Sequence, residues 1–341
     1  MLEPRRTRVR EHRPELDGLR AIAITAVVLF HVGLEGPFDG GFIGVDLFFV
    51  LSAFLITSIL ADEWRQEGSV NLRRFYWRRF LRLMPALLFM LVGYLAVAPF
   101  VWPGYSHARD ALAVGLYISD YTYAFWQVPR YLNHTWSLAV EEHFYLLWPL
   151  LLPFLLRSKR PLLWLAMAFV ALTFWRTSHA DDFNQYYFRS DMRATGLVAG
   201  AALYFSGFRP GRMAGIISFA LFAAIIMFAR FPYAFAVIPL AEIASVGLVA
   251  SAAGLPFLRA SPLVWLGQRS YAVYLWHLPI ANACRDYHLS HAWTAALTFA
   301  LSAILAELSW RTVEAWGKGA RSGLFTRWRI ARSSPLSSPQ D

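Results

Sequence analysis

Charged residues are scarce in this chain of 341 residues: they make up 16% of it, where a soluble domain carries about a quarter. The shortage runs along the whole length, and 57% of residues are hydrophobic with a mean hydropathy of +0.41. So much apolar surface cannot all enter one core, so it must face lipid. Cysteine is nearly absent. The single one, Cys284, excludes an internal disulfide framework and reads as a small buried residue. No internal repeat and no appended soluble domain is evident. Basic residues do exceed acidic ones, 32 to 22, for a net charge of +10. In a soluble protein that excess would point to nucleic acid. Here the basic residues lie mostly between apolar runs, where the orientation rule for membrane proteins explains them and no nucleic-acid partner is expected.

A membrane span needs about 20 mainly apolar residues. Segments 18–35, 41–61, 83–103, 136–156, 161–177, 192–207, 213–231, 235–256, 263–284 and 292–312 qualify, which predicts an all-α bundle of about ten transmembrane helices. The segment 110–127, DALAVGLYISDYTYAFWQ, holds two aspartates and many tyrosines and reads as an interfacial or re-entrant piece. With ten spans, roughly three quarters of the 32 basic residues fall on one side, which places both termini in the cytoplasm. An eleventh span at 110–127 would put RSKR (157–160) outside. The expected organisation is a basic arm at 1–14, a membrane domain at 15–314 and a basic, disordered tail at 315–341. The first apolar run has no small-residue cleavage site and is read as a retained helix.

Several residues do not belong in hydrocarbon, where an ionisable group is costly and suggests function. Arg20 and His31 are eleven residues apart, so on a helix they share a face to within about 20° and lie roughly 16 Å apart. Asp46 falls inside the second span at a similar depth to His31. It could orient the imidazole, or it could serve only as a helix–helix hydrogen bond. In LRRFYWRRFLRLMP, Arg79 and Arg82 are one turn apart, next to Arg78. By itself this loop reads as ordinary positive-inside charge against anionic headgroups. In NHTWSLAVEEHFYLLWP, His134, Ser137 and Glu141 share a face, and the pair Glu141–Glu142 could handle a proton. Acids at a helix start also suit its dipole. The HxxxxxxEEH spacing matches no metal signature, so no metal is expected. Arg189, Asp191 and Arg193 lie at the outer mouth of the sixth span. Arg269, Ser270, Tyr271 and Tyr274 run along the ninth, with His277 near its outer end. Aromatic belts explain the tyrosines there but not His277.

Six stretches together resemble acyltransferase family 3, the bacterial integral-membrane O-acyltransferases: ELDGLRAIAI…LFH, GGFIGVDLFFVLSAFLITSIL, FYWRRFLRLMPALL, HTWSLAVEEHFYLLWPLLLP, RSDMRATGLVAGAAL and SYAVYLWHLP. They occur in the family's order and cover about residues 14 to 312. The resemblance implies transfer of an acyl group, often acetyl, from cytoplasmic acyl-CoA to a hydroxyl of an extracytoplasmic or lipid-linked glycan, in the bacterial inner membrane and among its lipids. It puts the family's Arg-x10-His motif on Arg20 and His31, with His31 as general base. It puts the Arg-x-x-Arg motif on Arg79 and Arg82, which with Arg20 would hold the donor's phosphates. Asp46, Glu141 or Glu142 would orient His31, and His134, Arg189, Asp191, Arg193, Ser270, Tyr271 and His277 would serve the acceptor or the outer mouth. Acyl-CoA would be a substrate, and no resident cofactor is expected. Two places depart from the family pattern: Ser52-Ala53-Phe54 replaces Ser-Gly-Phe, and Glu141-Glu142-His143 replaces Glu-Glu-Gln. Some relatives carry an extracellular hydrolase-like domain that completes transfer, and none is expected here. The rival reading is a proton-coupled transporter or flippase, with His31 and the glutamates as a proton relay.

Overall fold

The structure is a computed structural model, described here for residues 12–33 and 38–320. Among the described residues there is no strand. Ten long helices form the bundle: α1 (Pro14–His31), α2 (Gly44–Glu67), α3 (Leu72–Val101), α6 (Trp136–Arg157), α7 (Pro161–Thr177), α9 (Ser190–Ser206), α10 (Arg212–Phe228), α11 (Ala234–Ser251), α12 (Ser261–Asp286) and α13 (His291–Arg311). Three short helices stand between them, α4 (His107–Gly115), α5 (Ser119–Trp126) and α8 (Phe183–Phe188). Local chemistry sets several of the starts. Pro14 opens α1, where its missing N–H costs nothing. Asn71 caps α3 by accepting from the backbone N–H of Arg74 at 2.9 Å, and Ser290 caps α13 in the same way.

Five helical stretches are long and apolar enough to cross a membrane: Asp39–Glu67, Leu72–Val101, Asn133–Arg157, Phe231–Gly254 and His291–Ala320. Two further apolar helices, α7 and α10, are shorter. The outer helices expose large apolar side chains such as Val92, Phe100, Leu150, Phe174, Ile217 and Ile304, a surface suited to lipid and costly in water. The three remaining long helices, α1, α9 and α12, carry Arg20, His31, Arg193, Arg269 and His277. Much of each is buried, so these polar groups meet protein.

The segment 110–127 forms α4 and α5 in place of one rod. At nine and eight residues they are about 14 and 12 Å long, too short for a ~30 Å core. Asp110 anchors them: its carboxylate accepts from the hydroxyls of Tyr94 and Tyr105 and from the backbone N–H groups of Arg130 and Tyr131. Burial and this bond push the Tyr105 phenol up to about 12. The arm expected at 1–14 and the tail expected at 315–341 lie largely outside the described residues, of which the last, 313–320, are helical.

Contacts between helices fix their relative directions. Asp17 meets Gly267 and His31 meets His277, so α1 and α12 run parallel. Asp46 meets Arg193 and Val50 meets Gly200, so α2 and α9 run parallel too. Tyr76 meets Leu146 and Arg79 meets Glu142, so α3 and α6 run antiparallel. The α1–α12 seam is a backbone contact. A Cβ on Gly267 would lie 1.8 Å from the carbonyl oxygen of Asp17, and one on Gly18 would lie 2.1 Å from that of Leu258. Only glycine allows so close an approach.

Candidate active site

His31 ends α1 half-buried. Its Nδ1 lies 2.9 Å from the carbonyl oxygen of Val27, one turn back, and 3.2 Å from Nε2 of His277 on α12. A carbonyl only accepts, so Nδ1 of His31 carries the proton. His277 is fixed in the same way, because its Nδ1 lies 2.6 Å from the carbonyl of Tyr274 and must donate to it. Its Nε2 lone pair therefore faces the N–H of His31. Of the four ring nitrogens, only Nε2 of His31 keeps an uncommitted lone pair. Two backbone carbonyls thus assign both tautomers and leave one base.

A third histidine, His134, lies beyond His277, with ring centroids 5.0 Å apart. It sits in the turn Asn133–Thr135 that leads into α6 and is 2% exposed. Tyr274 donates its hydroxyl to the backbone carbonyl of His134 and accepts from Ser137 at 2.6 Å. His134 and His277, expected at the mouth, are therefore neighbours of His31. Among the described residues, no group of histidines, cysteines or carboxylates has the geometry to hold a metal ion.

Asp46 is not beside His31. Its Oδ1 accepts from Nη2 of Arg193 at 2.8 Å, and both side chains are 1% exposed or less. The expectation that Asp46 orients the imidazole is corrected: helix α2 turns this residue toward α9. Arg193, expected at the mouth, is buried here, its guanidinium 4.9 Å from the ring of Tyr187. The polar cluster continues through Thr195, which donates to Glu242 at 2.5 Å and accepts from Arg176 at 3.0 Å. Arg176 and Glu242 lie 3.6 Å apart. The four charged groups, two of each sign, join α2, α7, α9 and α11, as buried charges require. Sequence reading passed over Arg176 and Glu242. Each is an ionisable residue in an apolar run, the signal that picked out Arg20.

Arg79 and Arg82 do not form one clamp. Arg79 turns inward, and its Nε and Nη2 donate to the same oxygen of Glu142 at 3.0 and 2.9 Å while its guanidinium lies 3.0 Å from the Tyr145 ring centre. Arg82 stays exposed. Glu141 faces elsewhere, accepting from Ser52 and from Tyr145 at 3.1 Å each. Neither glutamate therefore orients His31 in this structure. Arg20 pairs with Asp17 at 3.3 Å. At the other end of the bundle, Arg189 grips Asp191 through Nε and Nη2 at 3.0 and 2.7 Å. Ser270 is buried, and Tyr271 donates to the carbonyl of Leu83. His143 lies 2.7 Å from the hydroxyl of Ser190, which donates to the buried Asp120.

Apolar helices thus enclose a pair of imidazoles in which one ring nitrogen, Nε2 of His31, is left unbonded. The chain belongs to acyltransferase family 3, whose acyltransferase domain matches residues 13–308. It is 35% identical over 347 residues to a peptidoglycan O-acetyltransferase, OatA, of Listeria monocytogenes, covering 89% of this chain and 56% of that protein. It is 31% identical over 341 residues to the O-acetyltransferase OatA of Staphylococcus aureus, covering 88% and 56%. The chain thus spans just over half the length of these relatives. No solved structure matches it.

The Asp46–Arg193 pair yields the first prediction. Asp46→Asn leaves a buried guanidinium short of its counter-charge and should destabilise the bundle by about 3–5 kcal/mol. Arg193→Met added to it should recover most of that loss. Thermal unfolding in detergent measures both, and a double variant no more stable than Asp46→Asn would show that the pair is not the lock.

Proposed function

We propose that this protein is an integral-membrane O-acyltransferase. It moves an acyl group, acetyl by analogy with the named relatives, from a cytoplasmic acyl-CoA to a glycan hydroxyl on or near the outer face. The observation that carries the reading is the one free nitrogen of the His31–His277 pair, Nε2 of His31, at the end of a helix most of whose residues are buried. A neutral imidazole with a fixed N–H on its other side is a general base. Nε2 takes the proton of the acceptor hydroxyl, the oxygen attacks the thioester carbon, and the departing thiolate recovers the proton. While His31 is cationic, its Nδ1–H bond to His277 strengthens. His277 then takes the place that a carboxylate holds in a hydrolase triad, as a positioning residue.

The donor's phosphates meet the outward face of α3 at Arg82, and Arg79 holds the helix in place through Glu142 and Tyr145. The acceptor class follows the names of the relatives, of which one acts on peptidoglycan. The ten long helices are read as ten crossings of a bacterial inner membrane, with both chain ends in the cytoplasm.

Three outcomes are expected. His31→Ala and His31→Gln should both fold and lose about 10²–10⁴ in transfer rate, because glutamine has no proton acceptor of useful basicity. His277→Leu should lose less. Thiol release from acetyl-CoA in proteoliposomes measures this, and a His31→Gln protein with near-normal turnover would end the base assignment. Arg82→Ala should weaken donor binding by about 1.5–3 kcal/mol with little change in unfolding temperature, whereas Arg79→Ala should lower stability. Equal donor affinity in Arg82→Ala and the parent would remove Arg82 from the donor site. Finally, a C-terminal green fluorescent fusion should be bright and a C-terminal alkaline phosphatase fusion inactive. The reverse pattern would overturn the ten-crossing arrangement.

A further inference from the structure

His134 is a buried side chain that the scheme above does not use. It is 2% exposed, and neither ring nitrogen finds a hydrogen-bond partner in the protein. A neutral imidazole carries one N–H and one lone pair, so both remain unpaired, a costly state inside a bundle. The backbone around it is secured, because its own carbonyl receives the Tyr274 hydroxyl and the turn Asn133–Thr135 leads directly into α6. The ring is therefore held in place with its polar atoms free, one histidine away from the base.

The transfer reaction needs a donor at this location. When the hydroxyl oxygen attacks the thioester, the carbonyl π pair moves onto the carbonyl oxygen, and that charge requires a pre-placed hydrogen bond. The donors of α12 and α6 packed around His277 are committed. The N–H of His277 goes to the carbonyl of Tyr274, the hydroxyl of Tyr274 to the carbonyl of His134, and the hydroxyl of Ser137 to Tyr274. Arg193 and Arg176 are held in the charged cluster by Asp46, Thr195 and Glu242, although Nε and Nη1 of Arg193 and Nε of Arg176 make no further bond. Arg285 is exposed and donates to Asn282. Next to the two paired imidazoles, His134 offers a buried ring whose nitrogens have no partner.

We propose that His134 donates this N–H to the carbonyl oxygen of the transferring acyl thioester and stabilises the oxyanion of the tetrahedral intermediate. This deepens the acyltransferase reading and rests on it. In the balanced step, the acceptor O–H proton passes to Nε2 of His31 and the O–C bond forms. The oxyanion rests on His134, which keeps its own proton. The carbonyl then re-forms as the C–S bond breaks, and the thiolate takes the proton from His31. A neutral imidazole serves as an electrophile in this way elsewhere in enzymology.

The test compares His134→Gln, which keeps an N–H donor, with His134→Leu, which keeps only bulk. The probes are acetyl-CoA with chitotetraose as acceptor, in proteoliposomes of the full chain. The leucine variant should lose about 10²–10³ in kcat with KM for acetyl-CoA and the pH profile unchanged, and glutamine should recover at least tenfold of that. A second readout uses acetyl-CoA labelled with ¹³C at the carbonyl. Its stretching band should shift to lower frequency on binding to the parent and to the glutamine variant, but not to the leucine variant. Equal loss in both variants together with an unchanged band in the parent would overturn the proposal, as would full activity in His134→Leu. The band is read on bound donor before any transfer, so a failure of the His31 assignment would leave it intact. The absence of any acetyl-CoA binding by the parent would instead defeat the donor reading itself.

Discussion

A polar helix in an apolar bundle has to be surrounded by other helices, and this molecule is arranged around that requirement. Helices α1, α9 and α12 carry Arg20, His31, Arg193, Arg269 and His277, residues that hydrocarbon would not accept. The more apolar helices, among them α3, α6, α10, α11 and α13, cover them and present leucine, valine and phenylalanine outward. Once enclosed, the polar groups must satisfy each other. Most do so in two separate systems, a charged one between α2, α7, α9 and α11 and an imidazole one between α1, α12 and the start of α6, while Arg20 pairs with Asp17 and Arg269 with Glu307. The first holds the bundle together. The second leaves the Nε2 lone pair of His31 and both ring nitrogens of His134 without a partner, and that surplus is where the proposed chemistry begins.

Much of this was legible from the chain alone. Among the described residues a long helix occupies most of each of the ten apolar segments, because length and hydropathy are local properties. The shared face of Arg20 and His31 also follows from helical period. The partners did not, because a period tells which way a residue points along its own helix and nothing about the helix opposite. Asp46 was placed near His31 on depth, yet its partner is Arg193, 147 residues later. His277 was flagged because an aromatic belt could not explain it, but its contact with His31 spans 246 residues and no local pattern encodes that. Arg79 and Arg82 look equivalent in sequence. They part because one meets Glu142 and the other faces outward.

The two departures from the family pattern take different meanings in three dimensions. Ala53 is fully buried, so the position is one of packing, while its neighbour Ser52 donates to Glu141. His143, in place of glutamine, reaches Ser190 and through it Asp120, which ties α6 to the starts of α5 and α9. A glutamine could make one such hydrogen bond, but a histidine can also answer the charge of Asp120, which lies 3.4 Å away.

The seam between α1 and α12 joins residues near the start of the first helix to residues about 250 positions later. Asp17 rests against Gly267, and His31 waits for His277. During synthesis the first helix leaves the ribosome some 250 residues ahead of its partner. Until the ninth long helix has been made and docked, the base has only the Val27 carbonyl to steady it. The order of the helices therefore works as a timer: a nascent chain holds the imidazole but not its partner, and the pair is completed only once α12 has been made.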